Sequence, residues 1–179
     1  MATTRPDKFR ARARRAYEAG RLRHAAVSAW PAPFLAVIST WLCHEPGLSA
    51  GMGASLFAVL TGLVWYGPTS SRAARAGLRA GIWAFALPVV VFSFHLAPIT
   101  LSTMVVVNGA CGIGAGILLN MESTRLQTRR NLFLVCAGTV ATLCGMLGCM
   151  LFGPIGLAGM AAGVLLSTSS FAIYRQAIA

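Results

Sequence analysis

The chain has 179 residues, 56% of them hydrophobic and only 11% charged, with a mean hydropathy of +0.70. Soluble domains carry about 25% charged residues, so a water-soluble globule of this size is excluded. The formal net charge of +11 would suit a nucleic-acid binder, yet the basic residues flank apolar runs instead of covering one face of a domain. Anionic lipid is the counter-charge this placement favours, and nucleic acid fits poorly.

All fifteen Lys and Arg residues fall into four clusters: eight from Arg5 to Arg23, three from Arg72 to Arg79, three from Arg125 to Arg130, and Arg175 alone. Each apolar interval between clusters has room for two spans of about 20 residues and a turn. Lys and Arg concentrate in cytoplasmic loops. The expected fold class is therefore an all-α integral membrane protein. It has six transmembrane helices as three helical hairpins, preceded by a basic N-terminal amphipathic helix or arm. Both termini are expected in the cytoplasm and the chain as multi-pass in the cell (inner) membrane.

Residues 1–24 read as a cytoplasmic basic segment rich in helix-forming Arg and Ala. Phe9, Ala13, Ala16, Tyr17 and Gly20 give it a thin apolar stripe suited to a membrane surface. It reads as retained: the apolar run at 25–43 exceeds a signal-peptide core, and no convincing small-x-small site follows it. Residues 25–179 form the transmembrane domain, with spans expected at about 25–43, 48–66, 80–96, 99–121, 132–152 and 155–174. Pro31 and Pro33 fall near the start of the first span, where a helical turn tolerates them. "HEPG", "HLAP" and "GP" mark the outer turns, while "GPTSSRAARAGLR" and "ESTRLQTRRN" read as inner loops. Trp30, Trp65, Tyr66, Trp83 and Tyr174 would sit at the inner boundary, and Trp41, Phe94 and Phe152 at the outer one.

The outer turns resemble one another. "PGLSAGM" at Pro46–Met52, "PITLSTM" at Pro98–Met104 and "PIGLAGM" at Pro154–Met160 each place Met six residues after Pro. An internal repeat of three hairpins in one orientation would pack about an axis along the membrane normal. The pairs Gly112/Gly116 and Gly159/Gly163, with Gly138, Gly145 and Gly148, would let helix backbones approach closely.

Two groups of residues are candidates for function. Cys43, His44, His95 and Cys149 fall near the outer ends of spans and carry the thiolate and imidazole ligands that Cu(I) and Zn(II) accept. Cys43 and Cys149 could alternatively form a disulfide in an oxidising compartment. Arg5, Lys8, Arg10, Arg12, Arg14, Arg15, Arg21 and Arg23 exceed what orientation of a span requires, and they could bind lipid or a partner. Away from their ends the expected spans contain no Asp, Glu, Lys, Arg or His, which argues against a proton relay. Asn108 is the strongest polar group within them. No nucleophile–base set, paired carboxylates or phosphate loop occurs, so no enzyme and no cofactor is expected. The reading is a non-enzymatic structural or regulatory membrane protein whose basic arm meets anionic lipid or a cytoplasmic partner, with a homo-oligomer also open. The alternative is a small permease or channel for a metal ion or uncharged solute.

Overall fold

A computed structural model describes residues 5–42, 46–94, 100–124, 130–149 and 158–167. Every regular element among them is an α-helix: α1 (Arg5–Ser28), α2 (Pro31–Leu42), α3 (Pro46–Tyr66), α4 (Pro68–Ser93), α5 (Leu101–Ser123), α6 (Arg130–Cys149) and α7 (Ala158–Ser167). Proline opens α2, α3 and α4, at the position where a missing N–H costs nothing and the fixed φ already suits a helix.

The basic arm and the first apolar run are not separated where composition changes. Helix α1 passes through Arg23 and His24 without interruption, and the break comes at Ala29–Trp30. Pro31 and Pro33 withdraw two backbone donors there, and the chain turns with Trp30 N–H donating to Val27 O at 3.3 Å and Ala32 N–H to Ala29 O at 3.0 Å. Together α1 and α2 form one long, nearly continuous helical run from Phe9 to Leu42.

A larger departure concerns "GPTSSRAARAGLR", read from sequence as a loop. Only Gly67, at φ 153°, separates α3 from α4. Ser71 N–H donates to Gly67 O at 2.9 Å and Ser70 Oγ to the same oxygen at 3.0 Å, so the new helix is hydrogen-bonded from its first turn. The Arg and Ala that follow are strong helix formers. Helix α4 therefore has 26 residues, roughly 39 Å at the helical rise. That exceeds a hydrocarbon core of about 30 Å, and its arginines occupy the surplus at one end.

Helix α6 is the hub. It packs on α2, α3, α4 and α5, and its contact with α4 is the most extensive among α1 to α6. Its buried face is mostly small: Ala137, Val140, Ala141, Cys144, Gly145, Gly148 and Cys149. Gly77 and Gly81 of α4 oppose it. A Cβ at Gly77 would strike the Ala137 carbonyl and come within 2.9 Å of Val140 Cβ, and one at Gly81 would come within 2.5 Å of Cys144 Cβ. At the far end, Gly148 lies against Phe85, where a Cβ would be 2.7 Å from its carbonyl oxygen. These pairings advance together, so α4 and α6 run parallel.

Helices α5 and α7 repeat the arrangement. A Cβ at Gly112 would lie 2.5 Å from Met160 O, and one at Gly163 would lie 2.5 Å from Gly109 O. Gly116 abuts Ser167, so this pair is parallel as well. Gly159 is looser, and Gly138 has nothing within 4 Å of its would-be Cβ.

The surface inverts the soluble pattern. Val37, Val106, Val135, Leu165 and Leu166 are all more than 60% exposed, while Ala29, Ala32, Ala73, Ala137 and Ala141 are fully buried. Small residues inside and branched ones outside is the distribution a lipid solvent produces. Among the described residues five helical segments are long and apolar enough to cross a membrane: Phe9–Leu42, Pro46–Tyr66, Pro68–Val91, Val105–Ser123 and Arg130–Cys149. Helix α7 is shorter, and the remainder of the expected sixth span lies outside the described residues.

Candidate functional site

Parallel packing of α4 on α6 brings three helix ends together: the start of α4, the end of α5 and the start of α6. Arg72, Arg75, Arg79 and Trp83 are spaced three, four and four residues apart, so they share one face of α4. They form one wall of a cleft of about 570 Å³. Its floor is Ala80, Leu119 and Phe133, all buried, while Leu118 and Glu122 form the opposite wall.

The charges in this cleft are unbalanced. Arg75 Nη2 lies 3.2 Å from Ser71 Oγ. The only ion pair among the described residues is Arg14–Glu18, at 2.9 Å. Glu122 thus lines the cleft without pairing with any of its three guanidiniums. Polarity falls steadily along α4, from Arg72 at the rim, through Arg79, to the exposed indole of Trp83 four residues deeper.

A hydrogen-bonded group behind the cleft holds the helix ends in place. Asn120, 1% exposed, donates through Nδ2 to Gly116 O at 3.1 Å and to Ser167 O at 3.4 Å. Arg130 donates to Asn120 Oδ1 at 3.4 Å and to Ser123 Oγ at 3.2 Å, and Ser123 Oγ donates to Asn120 O at 2.7 Å. One amide therefore ties α5, α6 and α7 together where they meet water. Sequence reasoning missed the cleft because the second basic cluster was assigned to a loop, and missed the Asn120 group because Arg130 was assigned to the loop "ESTRLQTRRN". The signal present was the three-four-four spacing of Arg72, Arg75, Arg79 and Trp83.

Of the basic residues singled out on the arm, Arg10, Arg12, Arg14, Arg15, Arg21 and Arg23 all project from α1 into solvent. The side chains of Arg5 and Lys8 lie outside the described residues. Arg14 is engaged with Glu18. Arg21 donates to the carbonyl oxygen of Trp65 at the end of α3 and stacks over the Tyr17 ring at 5.8 Å from its centroid. That carbonyl belongs to the last turn of a helix, where cations are favoured.

Of the four metal candidates, Cys43, His44 and His95 lie outside the described residues. Cys149 is fully buried, with its Sγ 3.1 Å from Asn108 Oδ1. Asn108, also fully buried, uses that bond to link α5 to α6, while its Nδ2 has no partner. No group of three or more His, Cys, Asp or Glu side chains converges among the described residues. At the opposite end from the arginines, Ser39 Oγ lies 3.3 Å from Ser49 Oγ and donates to Leu147 O at 2.8 Å, joining α2, α3 and α6.

An all-helical chain with an apolar exterior and a small-residue interior has the build of a multi-pass membrane protein. No family model matches it, nor does any curated protein or solved structure.

Proposed function

We propose that this chain is a non-enzymatic, six-span protein of the cell membrane, built as three hairpins with both termini cytoplasmic. Its structural or regulatory role is exercised through a basic cytoplasmic face that engages anionic lipid. The observation that carries this reading is the gathering of Arg21, Arg72, Arg75, Arg79 and Arg130 at one end of the helices, with a single ion pair among the described residues. Such an end is attracted to the negative potential of a cytoplasmic leaflet. The parallel pairing of α4 with α6 and of α5 with α7 supports hairpins repeated in one orientation. Close Gly and Ala contacts along both pairs support a packed core over a solute path between these helices.

Trypsin digestion of the full chain in bilayer nanodiscs tests the proposal. Cleavage after Arg10, Arg12, Arg15 and Arg23 is expected to slow when phosphatidylglycerol replaces about a third of the phosphatidylcholine. Equal cleavage in both bilayers would overturn the lipid-engaging role of the arm.

A further inference from the structure

We propose that the cleft between α4, α5 and α6 is a discrete binding site for one anionic glycerophospholipid. The phosphodiester would be held by Arg72, Arg75 and Arg79, and an acyl chain would cross the apolar floor and leave the cleft past Trp83. This rests on the membrane orientation given above but does not involve the basic arm.

Charge is the first argument. Three guanidiniums face the cleft with one carboxylate, Glu122, and no ion pair neutralises them. Guanidinium presents a rigid fork of donors that matches a phosphate. Helical spacing distributes the three over about 10 Å of α4, which allows two of them to reach one phosphate from the same side. The starts of α4 and α6 bring the positive ends of two helix dipoles and the end of α5 one negative end, so the balance stays positive.

The second argument is the apolar surface beside the arginines. Free phosphate would need only the arginines. The cleft continues past them to Trp83, at the level where indoles mark the boundary between headgroup and hydrocarbon. Beside the arginines its floor is apolar, formed by the buried Ala80, Leu119 and Phe133. A phosphodiester carrying an acyl chain uses both the arginine wall and this apolar surface, whereas a free phosphate leaves the apolar surface uncovered. Glu122 opposes a second anionic charge in the headgroup, which suits a lipid with a single phosphodiester.

Native mass spectrometry on the full chain in detergent tests the proposal. The probes are phosphatidylglycerol, phosphatidylcholine with the same chains, and inorganic phosphate. One phosphatidylglycerol is expected to bind at least tenfold more tightly than phosphatidylcholine. R72Q/R75Q/R79Q should abolish that preference, whereas R10Q/R12Q/R15Q should leave it intact. Full displacement by inorganic phosphate at the lipid's own concentration would show a free-anion site and overturn the proposal. So would an undiminished preference in the first triple variant.

A second measurement leaves the arginines in place. In phosphatidylcholine nanodiscs holding a few per cent phosphatidylglycerol with brominated chains, Trp83 should be quenched well beyond random contact, and the excess should vanish in W83F. Quenching at the random level would also overturn the site. Loss of arm protection from trypsin with phosphatidylglycerol still retained would sink the arm's role alone. The reverse result would sink this site alone.

Discussion

The guanidinium of Arg21, on the basic helix α1, donates to the backbone carbonyl of Trp65 at the last turn of α3. The arm is thereby fastened to the helix bundle by one of the eight charges that sequence assigned to lipid or a partner. Ala25 and Ala29, fully buried one and two turns further on, continue the attachment. Arg21→Ala should free residues upstream of Ala25 while leaving the bundle folded. Trypsin cleavage within α1, followed by mass spectrometry in detergent, is expected to accelerate about fivefold, the opening equivalent of one net hydrogen bond. Arg10→Ala, on the same helix but without such a partner, should leave the cleavage rate at the remaining sites unchanged.

Gly77 and Gly138 make a controlled pair. Both lie on the α4 and α6 helices, yet a Cβ at Gly77 would strike the Ala137 carbonyl, while one at Gly138 meets nothing within 4 Å. Backbone cannot rotate away as a side chain can, so Gly77→Ala must push the two helices apart. Overpacking of this kind costs about 1–3 kcal/mol, and thermal unfolding in detergent should record it as a lower midpoint. Gly138→Ala is expected to hold or raise the midpoint, since Ala favours a helix interior over Gly by about 0.5–1 kcal/mol. Equal midpoints for the two variants would contradict the parallel α4–α6 contact.

The sequence made some of this readable and hid the rest for identifiable reasons. Long apolar runs and segregated arginines are one-dimensional signals, so the helical, membrane-spanning class followed directly. Gly112, Gly116 and Gly163 could be read because their four-residue spacing falls within apolar runs. Gly77 and Gly81 have that spacing too, but Gly67, Pro68, Ser70 and Ser71 resemble a turn. What decides the matter is that Pro68 occupies a first helical position, and that Gly67 alone accomplishes the reversal. The cleft was hidden for the same reason: with Arg72, Arg75 and Arg79 placed in a loop, their common face had no meaning. Asn108 stands out in the sequence as the strongest polar group within the spans, but its partner, Cys149 Sγ, lies 41 residues away and carries no sequence signal.

The amide of Asn120 and the guanidinium of Arg130 should prove energetically coupled. Asn120 is buried and receives the Arg130 hydrogen bond at 3.4 Å while donating toward α7. Asn120→Ala removes both connections and leaves Arg130 with Ser123 alone, whereas Arg130→Ala leaves Asn120 two of its three bonds. Polar contacts between membrane helices are worth about 0.6–2 kcal/mol. A double-mutant cycle on thermal or denaturant unfolding should return a coupling energy of about 1 kcal/mol, with Asn120→Ala the more damaging single change. Strict additivity would mean that the Asn120–Arg130 contact does not help to hold the ends of α5 and α6 together.

Glu122 offers a test in the direction of gain. It is the lone carboxylate in a cleft with three arginines, and it is exposed. Any phosphate seated against Arg72, Arg75 and Arg79 would feel repulsion from it, weakened by water and by salt. Two charges a few ångströms apart interact by about 1 kcal/mol in water, and screening within a Debye length of about 10 Å at 0.1 M salt lowers that further. Glu122→Gln should therefore tighten phosphatidylglycerol binding about twofold to threefold at low ionic strength. It should leave phosphatidylcholine binding unaltered, since a zwitterionic headgroup carries no net charge to repel. Raising the salt should shrink the gain, because the lost repulsion is a solvent-exposed Coulomb interaction. A loss of phosphatidylglycerol binding in this variant would instead make the carboxylate an essential acceptor for the headgroup hydroxyls, with its hydrogen bonds outweighing its charge.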